Sequence, residues 1–136
     1  GVAIDTLETA LPWAQVREAS RAIPQAIVDA MSKHNEKVLA FSHLSHVYRD
    51  GASVYTTFLF RRTADPGELL ARWNDMKHHA SLTLQKYGGT ISHQHGVGMD
   101  HAPYLPAEKG ALGMDALRAV CRSFDPDGMM NPGKLL

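Results

Sequence analysis

Two hydrophobic spacings alternate along the chain. Trp13, Val16, Ser20, Ile23, Ile27 and Met31 recur at helical spacing along one side, and Pro12 beside Trp13 opens that helix. Pro24 interrupts the stripe, so a kink or restart is expected near Ile23. From Val38 to Tyr48, and again from Ser53 to Arg61, the period drops to two, and Asp50-Gly51 between the runs is a two-residue hairpin signal. With those two residues as the loop, His46 faces Tyr55 and Leu44 faces Thr57. Val54, Thr56, Phe58 and Phe60 then share one face, while Tyr55, Thr57 and Arg61 share the other. Asp65-Pro66-Gly67-Glu68 carries the signals of a second helix start, followed by a stripe of Leu69, Trp73, Met76, Ala80, Leu84 and Tyr87 that Gly88-Gly89 ends. Thr90 to His93 reads as a short third strand, and a loop opened by Gly96 and Gly98 runs to about Pro106. A last helix spans about Gly110 to Phe124 and stops at Asp125-Pro126-Asp127-Gly128, while the first residues, Gly1 to Thr6, read as a strand or linker. This order fits an α+β domain: an antiparallel sheet with helices packed on one face, ferredoxin-like in outline.

Composition narrows the possibilities. At 136 residues the chain is one domain, and 44% hydrophobic with 21% charged residues is enough apolar material for a core. Fourteen basic residues balance fourteen acidic ones without clustering, so no field favours nucleic acid. Cys121 stands alone and cannot form an internal disulfide; its place in a helical run marks it as core filler. The amino terminus has no basic segment followed by an apolar stretch, and no run of about 18 apolar residues occurs. Without an initiator Met, the chain reads as part of a longer one.

Candidate chemistry concentrates in histidines, of which there are eight. His34 and the pair His78-His79 fall in helical contexts where a solvent-facing position explains them. His43, His46, His93 and His95 fall on strands or at a strand-to-loop junction, where backbone geometry can converge side chains. Thr90-Ile91-Ser92-His93-Gln94-His95-Gly96-Val97-Gly98 is the densest polar run, and His93 and His95 share a face if the extension persists through Gln94. Solvated histidines at a strand end are the plain alternative. A metal pair is another, but a zinc site needs three or four ligands, the run holds no acidic residue, and Asp100 and His101 are the nearest extras. Metal is therefore not expected. A tyrosine, with an ordinary pKa of about 10, needs a basic neighbour to move protons near neutrality. The expected register gives Tyr55 that neighbour in His46.

Four blocks in order carry a resemblance: Asp5-Thr6-Leu7-Glu8-Thr9 with Pro12-Trp13; Gly51-Ala52 with Val54-Tyr55; Gly88 to Gly98; and Asp125-Pro126 with Asn131. They resemble the alkylglycerone-phosphate synthase family and, more widely, the C-terminal cap domain of the FAD-linked oxidases of the vanillyl-alcohol oxidase superfamily. The resemblance covers nearly the whole chain but only the rear part of such an enzyme. It implies FAD as cofactor, gripped mainly by a separate FAD-binding domain of the same longer chain, with residues 125–136 returning toward that domain. It implies exchange of the acyl group of acyl-dihydroxyacetone phosphate for a fatty alcohol through a flavin adduct, or, as the alternative, oxidation of a 2-hydroxy acid or alcohol. The acid-base tyrosine of the family's Gly-Ala-x-x-Tyr block falls on Tyr55. The family's three consecutive histidines fall on His93, Gln94 and His95, so an amide replaces the middle imidazole and cannot exchange its proton. Gln94, Gly96 and Asn131 fall on the cofactor side. Dehydrogenase relatives hold a metal with two hairpin histidines and a glutamate; here Gln94 takes the glutamate's place and no histidine follows Gly51 closely, which argues against that branch. A small lipid or hydroxy-acid substrate, a homodimer, and a cytoplasmic setting peripheral to a membrane complete the expectations.

Overall fold

The computed structural model describes all 136 residues. Strand β1 (Val2–Pro12) leads directly into helix α1 (Trp13–Ser32), followed by strands β2 (Val38–Val47) and β3 (Gly51–Arg61) and helix α2 (Pro66–Lys86). A four-residue helix α3 (Gly98–His101), a 3-10 turn (Ala102–Tyr104) and helix α4 (Leu105–Phe124) complete the chain. The sheet order is β1-β3-β2, with β3 antiparallel to both neighbours. The opening residues, read as strand or linker, are thus an eleven-residue strand paired along the whole of β3.

Helices α1 and α2 cover one face. Ile23, Ile27 and Met31 of α1 and Met76, Ala80 and Leu84 of α2 meet Leu7, Leu11, Val54, Phe58 and Phe60 of the sheet, all buried. Each of these side chains larger than Ala80 contributes about 1.5–3 kcal/mol relative to exposure. The helix does not restart near Ile23: it runs on through Pro24. A proline there removes one helical hydrogen bond, and the apolar contacts of Ile23 and Ile27 on either side outweigh that loss. Helix α2 starts where the sequence marks it, with the Asp65 carboxylate accepting from the Gly67 N–H at 2.9 Å.

The hairpin register differs from expectation. His43, not His46, pairs with Tyr55, and Leu44 pairs with Val54 rather than Thr57; a shift at Ser45 then sets His46 against Ser53. The Tyr48 N–H donates to the Gly51 carbonyl at 2.8 Å, so Arg49-Asp50 is the loop and Gly51 already belongs to β3. Gly51 serves another need: a Cβ there would fall 2.0 Å from the Leu11 carbonyl oxygen, so only glycine lets β1 approach. The two faces of β3 are as expected, with Val54, Thr56, Phe58 and Phe60 under the helices and Tyr55 and Thr57 opposite.

Thr90 to His93 is not a strand, although it lies antiparallel against the outer edge of β1. The Thr90 N–H donates to the Ala10 carbonyl at 3.2 Å and the His93 N–H to the Glu8 carbonyl at 3.0 Å. The ladder fails between them because the Ile91 N–H donates to the Glu108 carboxylate at 2.7 Å and the Ala10 N–H donates to Thr90 Oγ1 at 2.9 Å. Farther along that edge, Lys77 donates to the Thr6 carbonyl at 3.1 Å. The expected loop to Pro106 contains α3 and the 3-10 turn, and α4 begins at Leu105, with Gly110 at φ 67° dividing it where the last helix was expected to start.

Candidate functional site

The face of the sheet away from the helices is built in rows across β1, β3 and β2. Ile4, Leu59 and Leu39 form one row; Thr6, Thr57 and Phe41 the next; Glu8, Tyr55 and His43 the third; Ala10, Ser53 and His46 the fourth. Polarity rises along the strands from an apolar end, where Ile4 and Leu39 are 64% and 61% exposed, to an ionisable end. Over that second end lies the 93–98 segment.

Its hub is Glu8. The side chain is only 2% exposed, yet it touches two imidazoles: His95 Nε2 lies 3.3 Å from Oε2, and His46 Nδ1 lies 3.6 Å from Oε1. The Ser45 hydroxyl donates to Oε1 and is itself 2.6 Å from the Ser53 hydroxyl. Burial works against the charged carboxylate, but hydrogen bonds from Ser45 and Ser53 and the fields of His93 and His95 outweigh it, holding the Glu8 pKa below its ordinary value. The shift at Ser45 aims that hydroxyl at Glu8 and sets His46 opposite Ser53 on the open face, where the unshifted register would set it opposite Ala52 on the helix side.

Tyr55 sits between two imidazoles. His43 stacks on its ring at 5.2 Å between centroids and His95 meets it edge-on at 5.4 Å. Its hydroxyl donates to Thr6 Oγ1 at 3.2 Å. The expected pairing of Tyr55 with His46 is therefore corrected: His46 stacks on Tyr48 at 6.2 Å and turns Nδ1 toward Glu8 and the Ser53 hydroxyl. His93 Nε2 is 2.8 Å from the Tyr48 hydroxyl, and its ring lies 6.4 Å from that of His46.

His93 and His95 reach this face by a route the periodicity did not contain. Gln94 adopts φ 62°, so the extension breaks and the two histidines straddle Glu8, one bonded to its carbonyl and the other facing its carboxylate. Gln94 is exposed; Gly96 has φ 72° with open space where a Cβ would stand, so glycine is there for its backbone angle. His101, at the base of the loop, is buried with Nδ1 unpartnered, and burial with the Lys77 charge pushes its pKa down. Asn131 lies apart from the cluster, lining a groove whose other walls come from the second half of α4 and the tail. The remaining helical histidines have partners: His34 and His79 flank Asp75 at 3.1 and 3.2 Å, and His78 meets the Tyr104 hydroxyl at 2.8 Å.

Tyr55, His46, His93 and His95 are thus on one face, together with Tyr48, His43 and the buried Glu8 that the sequence reading left without a role. Its signal was available in the alternation of β1, where Leu7, Thr9 and Leu11 face the core and Thr6, Glu8 and Ala10 face away. The arrangement offers a hydroxyl and imidazoles for proton transfer beside an apolar strip.

A family model for the C-terminal domain of FAD linked oxidases matches residues 1–135. Alkyldihydroxyacetonephosphate synthase of Trypanosoma brucei brucei is 29% identical over 132 residues, which is 97% of this chain and 21% of that protein. Glycolate oxidase subunit GlcD of Bacillus subtilis is 48% identical over 111 residues, 82% of this chain and 22% of that protein. A solved structure of alkyldihydroxyacetonephosphate synthase superposes with a TM-score of 0.63 at 21% identity, covering 96% of this chain and 20% of that one, and so shares the fold. The chain spans about a fifth of the length of these relatives. Matched from its first residue to its penultimate one, and folded accordingly, it belongs to the C-terminal domain family of the FAD linked oxidases.

Proposed function

We propose that this chain is the substrate-side wall of a larger FAD-dependent enzyme that exchanges the acyl group of acyl-dihydroxyacetone phosphate for a fatty alcohol. The observation that carries this reading is the meeting of Tyr55, His95 and buried Glu8 on the open sheet face, alongside an exposed apolar strip of Ile4, Leu39 and Phe41 that suits an alkyl chain. The synthase of Trypanosoma, similar over 97% of this chain, supports it.

The residues present fit one side of a flavin and not the whole dinucleotide. Exposed Gln94 and the open backbone at Gly96 offer polar contacts, and none of the grooves of the structure is lined by Tyr55, Gln94 or His95, so this face is a wall and not an enclosing pocket. When bound, FAD would supply an electron-accepting ring beside the substrate. This chain's own residues would do the rest. Tyr55, its ring fixed by His43 and His95, gives and takes a proton at its hydroxyl, and the adjacent imidazoles accept and return it. Residues 125–136 are the return toward the FAD-binding domain of the same longer chain, anchored by the Leu135 N–H on the Gly98 carbonyl at 3.3 Å, and Asn131 is offered to the flavin side.

A second reading, an FAD-linked oxidase or dehydrogenase of a 2-hydroxy acid, is favoured by the 48% identity to the glycolate oxidase subunit. The test gives the full-length polypeptide acyl-dihydroxyacetone phosphate with a long-chain alcohol, and separately 2-hydroxy acids with an electron acceptor. Alkyl transfer without net flavin reduction is expected. Bleaching of the flavin by hydroxy acids, with no alkyl transfer, would decide for the oxidase.

A further inference from the structure

We propose that Glu8 is a positioning residue that selects which nitrogen of His95 carries the proton, leaving Nδ1 as the basic atom turned toward the substrate. The inference rests on the reading above in taking His95 as the imidazole beside the reacting hydroxyl, and it adds the group that sets its chemical form.

A neutral imidazole has two tautomers of similar intrinsic energy, and a charge placed against one nitrogen decides between them. Glu8 Oε2 is 3.3 Å from Nε2 of His95. The carboxylate has only 2% of its side chain exposed, so its field is poorly screened by water, and the Ser45 hydroxyl fixes its orientation. A proton on Nε2 is therefore stabilised, and the lone pair falls to Nδ1. The same ring lies edge-on to Tyr55, so the choice of nitrogen is made at the site where a proton would be exchanged. The backbone reinforces the geometry, because the His93 N–H bonds the Glu8 carbonyl at 3.0 Å and holds the histidine segment over this one residue. Charge, burial and both backbone and side-chain contacts thus converge on a residue that is itself almost wholly shielded from solvent.

The test uses the full-length flavoprotein with nitrogen-15-labelled histidine, the His95 signals being assigned by their loss in His95→Ala. The wild-type protein is expected to show His95 with its proton on Nε2. In Glu8→Gln, which keeps the size and an acceptor oxygen but removes the charge, the Nδ1-protonated form should rise several-fold. Turnover should fall about 10- to 100-fold while KM changes by less than about twofold, and Glu8→Asp should restore part of the turnover. A merely structural Glu8 would move stability or KM but not the tautomer. If Glu8→Gln does not fold, the wild-type spectrum still decides: His95 with its proton on Nδ1, or evenly mixed, overturns the proposal, as does an unchanged tautomer in a folded Glu8→Gln. Full activity in His95→Ala would instead sink the functional reading while leaving the tautomer result intact.

Discussion

The two faces of β3 are made by the same eleven residues and obey different rules. Under the helices, Val54, Thr56, Phe58 and Phe60 are held by shape, and what matters is volume filled without gaps. On the other face Tyr55 is held by a stack, an edge contact and one hydrogen bond, and its neighbours are titratable groups in the order His43, His95, Glu8. One face stores the stability of the domain. The other concentrates titratable groups around a buried carboxylate whose desolvation is offset by the Ser45 and Ser53 hydroxyls and the histidines. A face that gathers this many titratable groups around one buried carboxylate is where function is to be sought.

The contrast can be broken by exchange of roles. Phe58→Ala should lose about 3–5 kcal/mol in denaturant unfolding, because its site is fully enclosed and cannot collapse around the gap. Tyr55→Phe, three residues away but pointing outward, should reduce turnover of the full-length enzyme about 100-fold or more. Its unfolding free energy should change by no more than about 1 kcal/mol, the scale of the single hydrogen bond to Thr6. If Tyr55→Phe unfolds the domain and leaves turnover alone, the two faces have been assigned the wrong way round.

Gly51→Ala sharpens the comparison from the backbone side. Its Cβ would stand 2.0 Å from the Leu11 carbonyl, so β1 and β3 must part, with an expected loss of about 1–3 kcal/mol by thermal unfolding. The smallest effect concerns acid. Because the folded-state pKa of Glu8 lies below its ordinary 4.5, the unfolded chain binds the proton more readily, and the stability this group contributes is full above 4.5 and lost as pH falls through the lower folded value. The stability gap between wild type and Glu8→Gln, measured by urea unfolding across pH, should narrow on acidification and do so entirely below 4.5.

How much of this was legible follows from the kind of signal each element carries. Helix α2 announces itself through Asp65-Pro66 and a regular apolar stripe, and both faces of β3 follow from period-two alternation, since these signals are local. The register was not legible. The Asp50-Gly51 pair resembles a turn, but the glycine answers to Leu11 on a strand forty residues away, and the shift at Ser45 has no local marker. Pairing Tyr55 with His46 failed for that reason. Glu8 carries no role in the sequence because its neighbours come from β2, β3 and the histidine loop, and only the assembled sheet brings them together. The histidine run was visible as a cluster of polar residues, yet its path, turned by Gln94 at φ 62°, was not.

The central claim is that the open face of this sheet is the working face. Determining the crystal structure of the full-length FAD-bound enzyme tests it most directly: Tyr55 and His95 should lie against the substrate space beside the flavin ring. A flavin seated on the α1 and α2 side, with the open face buried against an unrelated part of the polypeptide, would contradict it.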